Sequence, residues 1–169
     1  MNGKDPRRQF LGAAARAKGK AFESRIDAAF EYYRLRGDAW IEKTPEPMRP
    51  SKSLGNGKFV AFYEKKAQPD YKGVIQGGRE VLFEAKYTDT DRLEQNRVSP
   101  AQTEYLTRHE ELGAKCFVLA GFGSGNVYRV PWREWTSMKD RLGRKYVTEA
   151  DLDVNRVRQA PNGLLLVLE

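Results

Sequence analysis

Two carboxylates and an amine stand at a spacing that suits phosphodiester hydrolysis. Pro69-Asp70 is followed by thirteen residues and then by Glu84-Ala85-Lys86. Cutting a phosphodiester needs charge stabilisation on the phosphate and a water activated in line with the leaving oxygen. Mg2+ supplies both when a few carboxylates hold it and leave positions open. Lys86 can orient or deprotonate that water and offset developing negative charge. Glu23, one position off the apolar stripe of the first helix, offers a third carboxylate, directly or through a water.

The chain between the two halves of the pattern predicts how they meet. Tyr71 to Gln76 and Glu80 to Lys86 are β-capable runs around the turn pair Gly77-Gly78, a hairpin signal. In a strand Glu84 and Lys86 share a face about 6–7 Å apart, and Val81, Phe83 and Ala85 take the apolar one. A turn at Gly77-Gly78 sets Asp70 across from Glu84 or Ala85. The plain alternative is a cross-strand Asp70/Lys86 ion pair on an exposed hairpin, worth little.

Other elements frame this hairpin. Phe22, Ile26, Ala29, Phe30 and Tyr33 repeat at helical spacing, and Gly37 ends that helix. Trp40 to Lys43 reads as a short strand. Thr44 to Lys58 holds Pro45, Pro47, Pro50, Gly55 and Gly57. That composition predicts a long surface excursion, a candidate substrate element. Phe59 to Tyr63 reads as a strand, and Thr88 to Val98 as a polar loop. Ser99 as N-cap, Pro100 at the first position and Gln102 three residues after the cap open a second helix that stops at Gly113. Cys116 to Ala120 is a buried central strand. A turn at Gly123 to Asn126 leads to a strand over Val127 to Val130. A helix is expected over Pro131 to Leu142 with Trp132 and Trp135 packed inward, and a last strand over Leu164 to Leu168. The order gives an α/β (α+β) fold, a mixed sheet flanked by helices. His109 is expected to face solvent.

Length and composition narrow the class. With 169 residues, the chain suits one domain with its own core. One Cys and one His allow no intrachain disulfide and no ordinary zinc site. No apolar run is long enough to span a bilayer, and the first residues lack the core of a signal peptide, so no membrane association and a cytoplasmic location are expected. A net charge of +7 favours a polyanionic partner, nucleic acid first. Residues 1–20 carry six basic residues against Asp5 alone and read as a flexible basic arm, ahead of one domain over 21–169.

Pro69-Asp70…Glu84-Ala85-Lys86 resembles the PD-(D/E)xK nuclease motif in its literal form. The surroundings resemble the RecU-type Holliday junction resolvases: Gly19-Lys20-Ala21-Phe22-Glu23, Asp70-Tyr71-Lys72-Gly73-Val74, Phe83-Glu84-Ala85-Lys86, Gln102, and Gly113 to Leu119. The likeness runs from Lys18 to Trp135. It implies a restriction-endonuclease-like core with a projecting stalk-like loop at 44–66. It further implies a metal-dependent endonuclease that resolves four-way DNA junctions by paired symmetric nicks in recombination and repair. Asp70 and Glu84 would hold Mg2+, with Mn2+ able to substitute, helped by the Ala85 carbonyl and Glu23. Lys86 would serve the water, and Gln102 would help place the water or a phosphate. Arg49, Lys52, Lys58, Lys65, Lys66 and Lys72 would bind DNA. Members are homodimers on branched DNA, alongside other recombination proteins, in the cytoplasm at the nucleoid; the compact length suits a phage-encoded version. Where the family has a hydroxyl residue two before the metal-binding Asp, this chain has Gln68, and its last 30 residues match nothing familiar. The alternatives are the same chemistry on another DNA substrate (restriction, repair or flap) and a non-catalytic DNA-binding protein of the same fold.

Overall fold

Phe22, Ile26, Ala29, Phe30 and Tyr33 fall on one buried side of helix α1 (Pro6–Arg36) in the computed structural model, which describes residues 6–45, 47–63 and 68–169. The helix already runs at Pro6, so residues 6–20, expected as a loose arm, extend it instead. Helical continuity explains the difference: Ala13, Ala14, Ala15 and Ala17 are strong helix formers among basic residues that suit an exposed helix. Gly37 at φ 75° closes it, and the Asp38 N–H reaches back to the Tyr33 carbonyl at 3.0 Å.

A five-stranded sheet follows in the order β1-β4-β5-β7-β8. Its strands are β1 (Ala39–Lys43), β4 (Tyr71–Ile75), β5 (Glu80–Thr88), β7 (Lys115–Phe122) and β8 (Val127–Pro131). Only β5 and β7 run parallel, joined through helix α2 (Pro100–Glu111); the other neighbours are antiparallel. Helix α1 covers one face, over Ile41, Tyr71, Val81, Phe83, Phe117 and Leu119. The other face buries Leu82, Cys116, Val118 and Val130 against Leu106 of α2 and against Trp132, Trp135 and Met138. Among the described residues no helix is long and apolar enough to cross a membrane.

Stacked rings set the register that matters. Tyr71, Phe83 and Phe117 sit opposite one another on β4, β5 and β7, with centroids 4.8 and 4.7 Å apart and planes nearly parallel. Such pairs add about 0.5–1.5 kcal/mol each beyond their burial, and a slip by one residue would turn every ring to the wrong face.

Elsewhere the structure departs from the sequence expectations. Residues 48–63 form a two-stranded hairpin, β2 (Met48–Gly55) and β3 (Lys58–Tyr63), where a loop was expected before Lys58. Pro50 is tolerated because an isolated pair has two open edges. The expected loop at 88–98 contains β6 (Arg92–Glu94) and a 3-10 turn, and β6 pairs with β9 (Tyr146–Thr148). The expected helix at 131–142 is two short ones, α3 (Trp132–Thr136) and α4 (Met138–Leu142), broken at Ser137. Leu164 to Leu168 is no strand; only an isolated bridge from Gln159 to Leu165 forms there. His109 is part-buried, stacked on Tyr105 and 2.9 Å from a Glu80 oxygen, and does not simply face water.

Candidate active site

The ring register carries the chemistry one residue further. Tyr71 faces Phe83, so Asp70 stands across from Glu84, as the Gly77-Gly78 turn predicts. Both glycines have positive φ, 90° and 82°, which a tight turn of this kind requires. The Asp70 Oδ2 accepts from the Ala85 N–H at 3.1 Å and from Lys86 Nζ at 2.9 Å. Lys86 Nζ also donates to Glu84 Oε2 at 2.5 Å, so one ammonium bridges both carboxylates. Glu84 is fully buried and Lys86 nearly so, its side chain only 14% exposed.

Gln102 takes the capping role that the sequence suggested, and its amide meets a carboxylate as well. Its backbone N–H and side-chain oxygen complete the capping box with Ser99. Its Nε2 is then free to donate to Glu84 Oε2 at 2.9 Å. The cap thus aims the side chain, and the start of α2 is fixed to the carboxylate.

Burial and mutual charge settle the protonation of this cluster. Burial, then the Asp70 charge, push the Glu84 carboxyl up to about 8, against the pull of Lys86. Burial also works against the Asp70 anion, but the Lys86 charge and the hydrogen bonds from Lys86 and Ala85 hold Asp70 below the usual range. Lys86 is raised, because the two carboxylates outweigh its burial. Burial thus favours the neutral form of Glu84, while Lys86 stays charged across the two carboxylates. Lys86 in that state is a positively charged donor, not a base.

Those residues fit a divalent cation. Glu84 Oε1 is buried with no hydrogen-bond partner among the described residues, an acceptor that the protein leaves unused. The Lys86 ammonium already occupies the place where a cation is attracted by both carboxylates.

Glu23 is not brought into the cluster. Its carboxylate pairs with Lys43 Nζ at 2.5 Å on the α1 side of β1, and the described residues hold no group of three or more acidic, His or Cys ligands. The sequence offered no sign that Lys43 would claim it. Lys72 shares the sheet face of Asp70 two residues on, with its Nζ 3.2 Å from Gln68 Oε1. Arg49, Lys52 and Lys58 lie exposed on the β2–β3 hairpin, away from the carboxylates in sequence and sheet. Lys65 and Lys66 lie outside the described residues.

One residue at the site went unnoticed in the sequence. Beyond β1, Thr44 continues the register to stand opposite Asp70, and its N–H donates to the Asp70 carbonyl at 2.8 Å. Thr44, Asp70 and Glu84 thus form one row across three strands. No local pattern signals this, because it depends on β1 pairing with β4 across the whole intervening hairpin.

The family model RecU, described as recombination protein U, matches residues 17–166. The chain belongs to the RecU family. A relative from Bacillus pumilus, named Holliday junction resolvase RecU, is 31% identical over 147 residues, covering 80% of this chain and 69% of that protein. A RecU of the same name from Streptococcus gordonii is 32% identical over 113 residues, covering 63% of this chain and 56% of that one. This RecU-family chain therefore spans about half to two thirds of the lengths of those relatives. In three dimensions it is similar to Archaeoglobus fulgidus Hjc, a Holliday junction resolvase, with a TM-score of 0.50 at 15% identity over 81% of this chain and 88% of that one. That likeness gives the fold, which is restriction-endonuclease-like as the motif implied.

Proposed function

We propose that this chain is a metal-dependent endonuclease that resolves four-way DNA junctions. The observation that carries the chemistry is the Asp70–Lys86–Glu84 bridge beside an unused buried carboxylate oxygen; membership of the RecU family supports the substrate. Asp70, Glu84 and the Ala85 carbonyl would hold Mg2+ or Mn2+, and the bound ion would polarise the phosphate and make water nucleophilic at neutral pH. Glu23 could join only by leaving Lys43.

The chain's own groups do the rest. The Ala85 N–H fixes the Asp70 carboxylate, and Gln102 fixes Glu84 from the other side. Lys86, charged and part-shielded, would orient the attacking water and offset charge on the phosphoryl oxygens. Arg49, Lys52 and Lys58 on the hairpin, with Lys65, Lys66 and Lys72, would contact backbone phosphates and give shape-guided, salt-sensitive binding. A homodimer over residues 21–169 matches two like strands with two sites related by a two-fold axis.

The test compares a synthetic four-way junction with a linear duplex of equal length, each end-labelled, in Mg2+ or EDTA. Paired symmetric nicks are expected in the junction alone and only with the metal. Asp70→Asn, Glu84→Gln and Lys86→Ala should each lower cutting at least about a hundredfold while junction binding persists. Equal cutting of both substrates would remove junction specificity. Undiminished cutting by all three variants would remove the site.

A further inference from the structure

Thr44 is 8% exposed, and its hydroxyl is buried with no hydrogen-bond partner among the described residues. Buried hydroxyls are rarely left so, since each forfeits its bonds with water. Only three buried side-chain atoms among the described residues share this condition: Thr44 Oγ1, Glu84 Oε1 and Arg144 Nε. Two of the three lie on the one row that continues the β1–β4–β5 register by a residue, one on each side of Asp70. The two unmade bonds therefore belong to the residues on either side of Asp70 in that row.

Residues directly opposite in an antiparallel pair project from the same face, so the Thr44 hydroxyl leaves the sheet on the Asp70 side. Adjacent strands are about 4.8 Å apart. A water bound to a small divalent cation lies about 2.1 Å from the ion and accepts or donates a hydrogen bond over about a further 2.7 Å. A hydroxyl one strand away from an ion on Asp70 thus has the reach to hold that ion's water. No hydrogen bond among the described residues accounts for a hydroxyl here, and valine has a similar shape without the unmade bond.

We propose that Thr44 is a positioning residue of the cation site, its hydroxyl holding the hydration shell of a divalent ion bound by Asp70 and Glu84. The inference rests on the metal-dependent reading above and adds a partner to it from a strand outside the nuclease motif. Mg2+ keeps several of its waters when protein-bound, and groups that orient an ion's bound ligands tune its affinity by about 10–100-fold.

The test needs no DNA. Mn2+ is titrated calorimetrically into the full chain, and melting is followed in EDTA, for the wild type, Thr44→Val, Thr44→Ser and Asp70→Asn. Thr44→Val should melt in EDTA at or above the wild type, because it removes an unsatisfied group, yet bind Mn2+ about tenfold more weakly. Thr44→Ser, which keeps the hydroxyl, should stay within about threefold of the wild type. Asp70→Asn should lose measurable binding. Wild-type affinity in Thr44→Val with binding lost in Asp70→Asn would overturn the role of Thr44 and leave the ion site standing. Equal losses in Thr44→Ser and Thr44→Val would overturn it too, as would a Thr44→Val that melts well below the wild type in EDTA, since the residue would then be structural. Unchanged binding in Asp70→Asn would remove the ion site itself.

Discussion

A carboxyl that ionises near 8 inside a folded protein makes stability depend on pH in an unusual direction. Glu84 is raised from its ordinary value of 4.5 to about 8 by burial and by Asp70. The folded state keeps this proton where the unfolded chain has released it, so the contribution is fully present below about 4.5 and is lost as pH rises toward 8. Asp70 is lowered and acts oppositely, with stability lost only as pH falls below its usual range. In EDTA the melting temperature should therefore fall between pH 5 and 8, with a slope no steeper than about 1.4 kcal/mol per pH unit, the limit for one proton. Glu84→Gln should flatten that slope, which thermal melts across the range would check. Mn2+ must compete with the same proton, so its affinity should rise over the same interval. At this scale Asp70, Glu84 and Lys86 were legible because motif spacing and a local turn together set their register. Gln102 was half-legible: the capping box was plain, but its spare amide needed Glu84 in space. The pairing of Glu23 with Lys43 was not legible, because only the fold brings the two together.

Among the elements, β4 depends on one side chain being absent. A Cβ on Gly73 would lie 2.0 Å from the Trp40 carbonyl oxygen and 2.6 Å from the Ile41 Cα, backbone atoms of β1 that cannot turn aside. Gly73→Ala should push β1 off the sheet edge, costing about 2 kcal/mol or more and weakening ion binding through the displaced end of β1. Urea midpoints and Mn2+ titration would measure the two effects. The long periodic segments and the central strands could be read directly, since each declares its period within a few residues. β2 could not, because Pro50 and the Gly/Ser content outweigh strand propensity and only its partner β3 holds it. β6 and β9 are three residues each and far apart in sequence; so short a run has no period.

For the whole molecule, the excursion leaves and rejoins the sheet at adjacent points. Thr44 and Asp70 face one another, and between them in the sequence the β2–β3 hairpin forms a sheet of its own, with Met48, Leu54, Phe59 and Phe62 all more than half exposed. Little of the sheet's core depends on it. Replacing residues 46–67 by a short Gly-rich turn should leave a folded chain, its melting temperature within a few degrees of the wild type because shortening a loop lowers its closure entropy. Mn2+ binding should persist, and affinity for a four-way junction should fall at least about tenfold through lost phosphate contacts. Calorimetry and gel shifts on the same preparation would show whether the two properties separate in this way.

The hydrogen bond between Thr44 and Asp70 has a thermodynamic corollary. It joins the points where the chain leaves and rejoins the sheet, so the root of the excursion and the edge of the proposed ion site share these two residues. Where occupancy of one region alters the other, the coupling is reciprocal. Whatever factor a divalent ion contributes to junction affinity, the junction must return to the ion. Under the proposed function, a junction that the ion helps to bind would in turn help the site to fill, so that the cation would be held best when DNA is present.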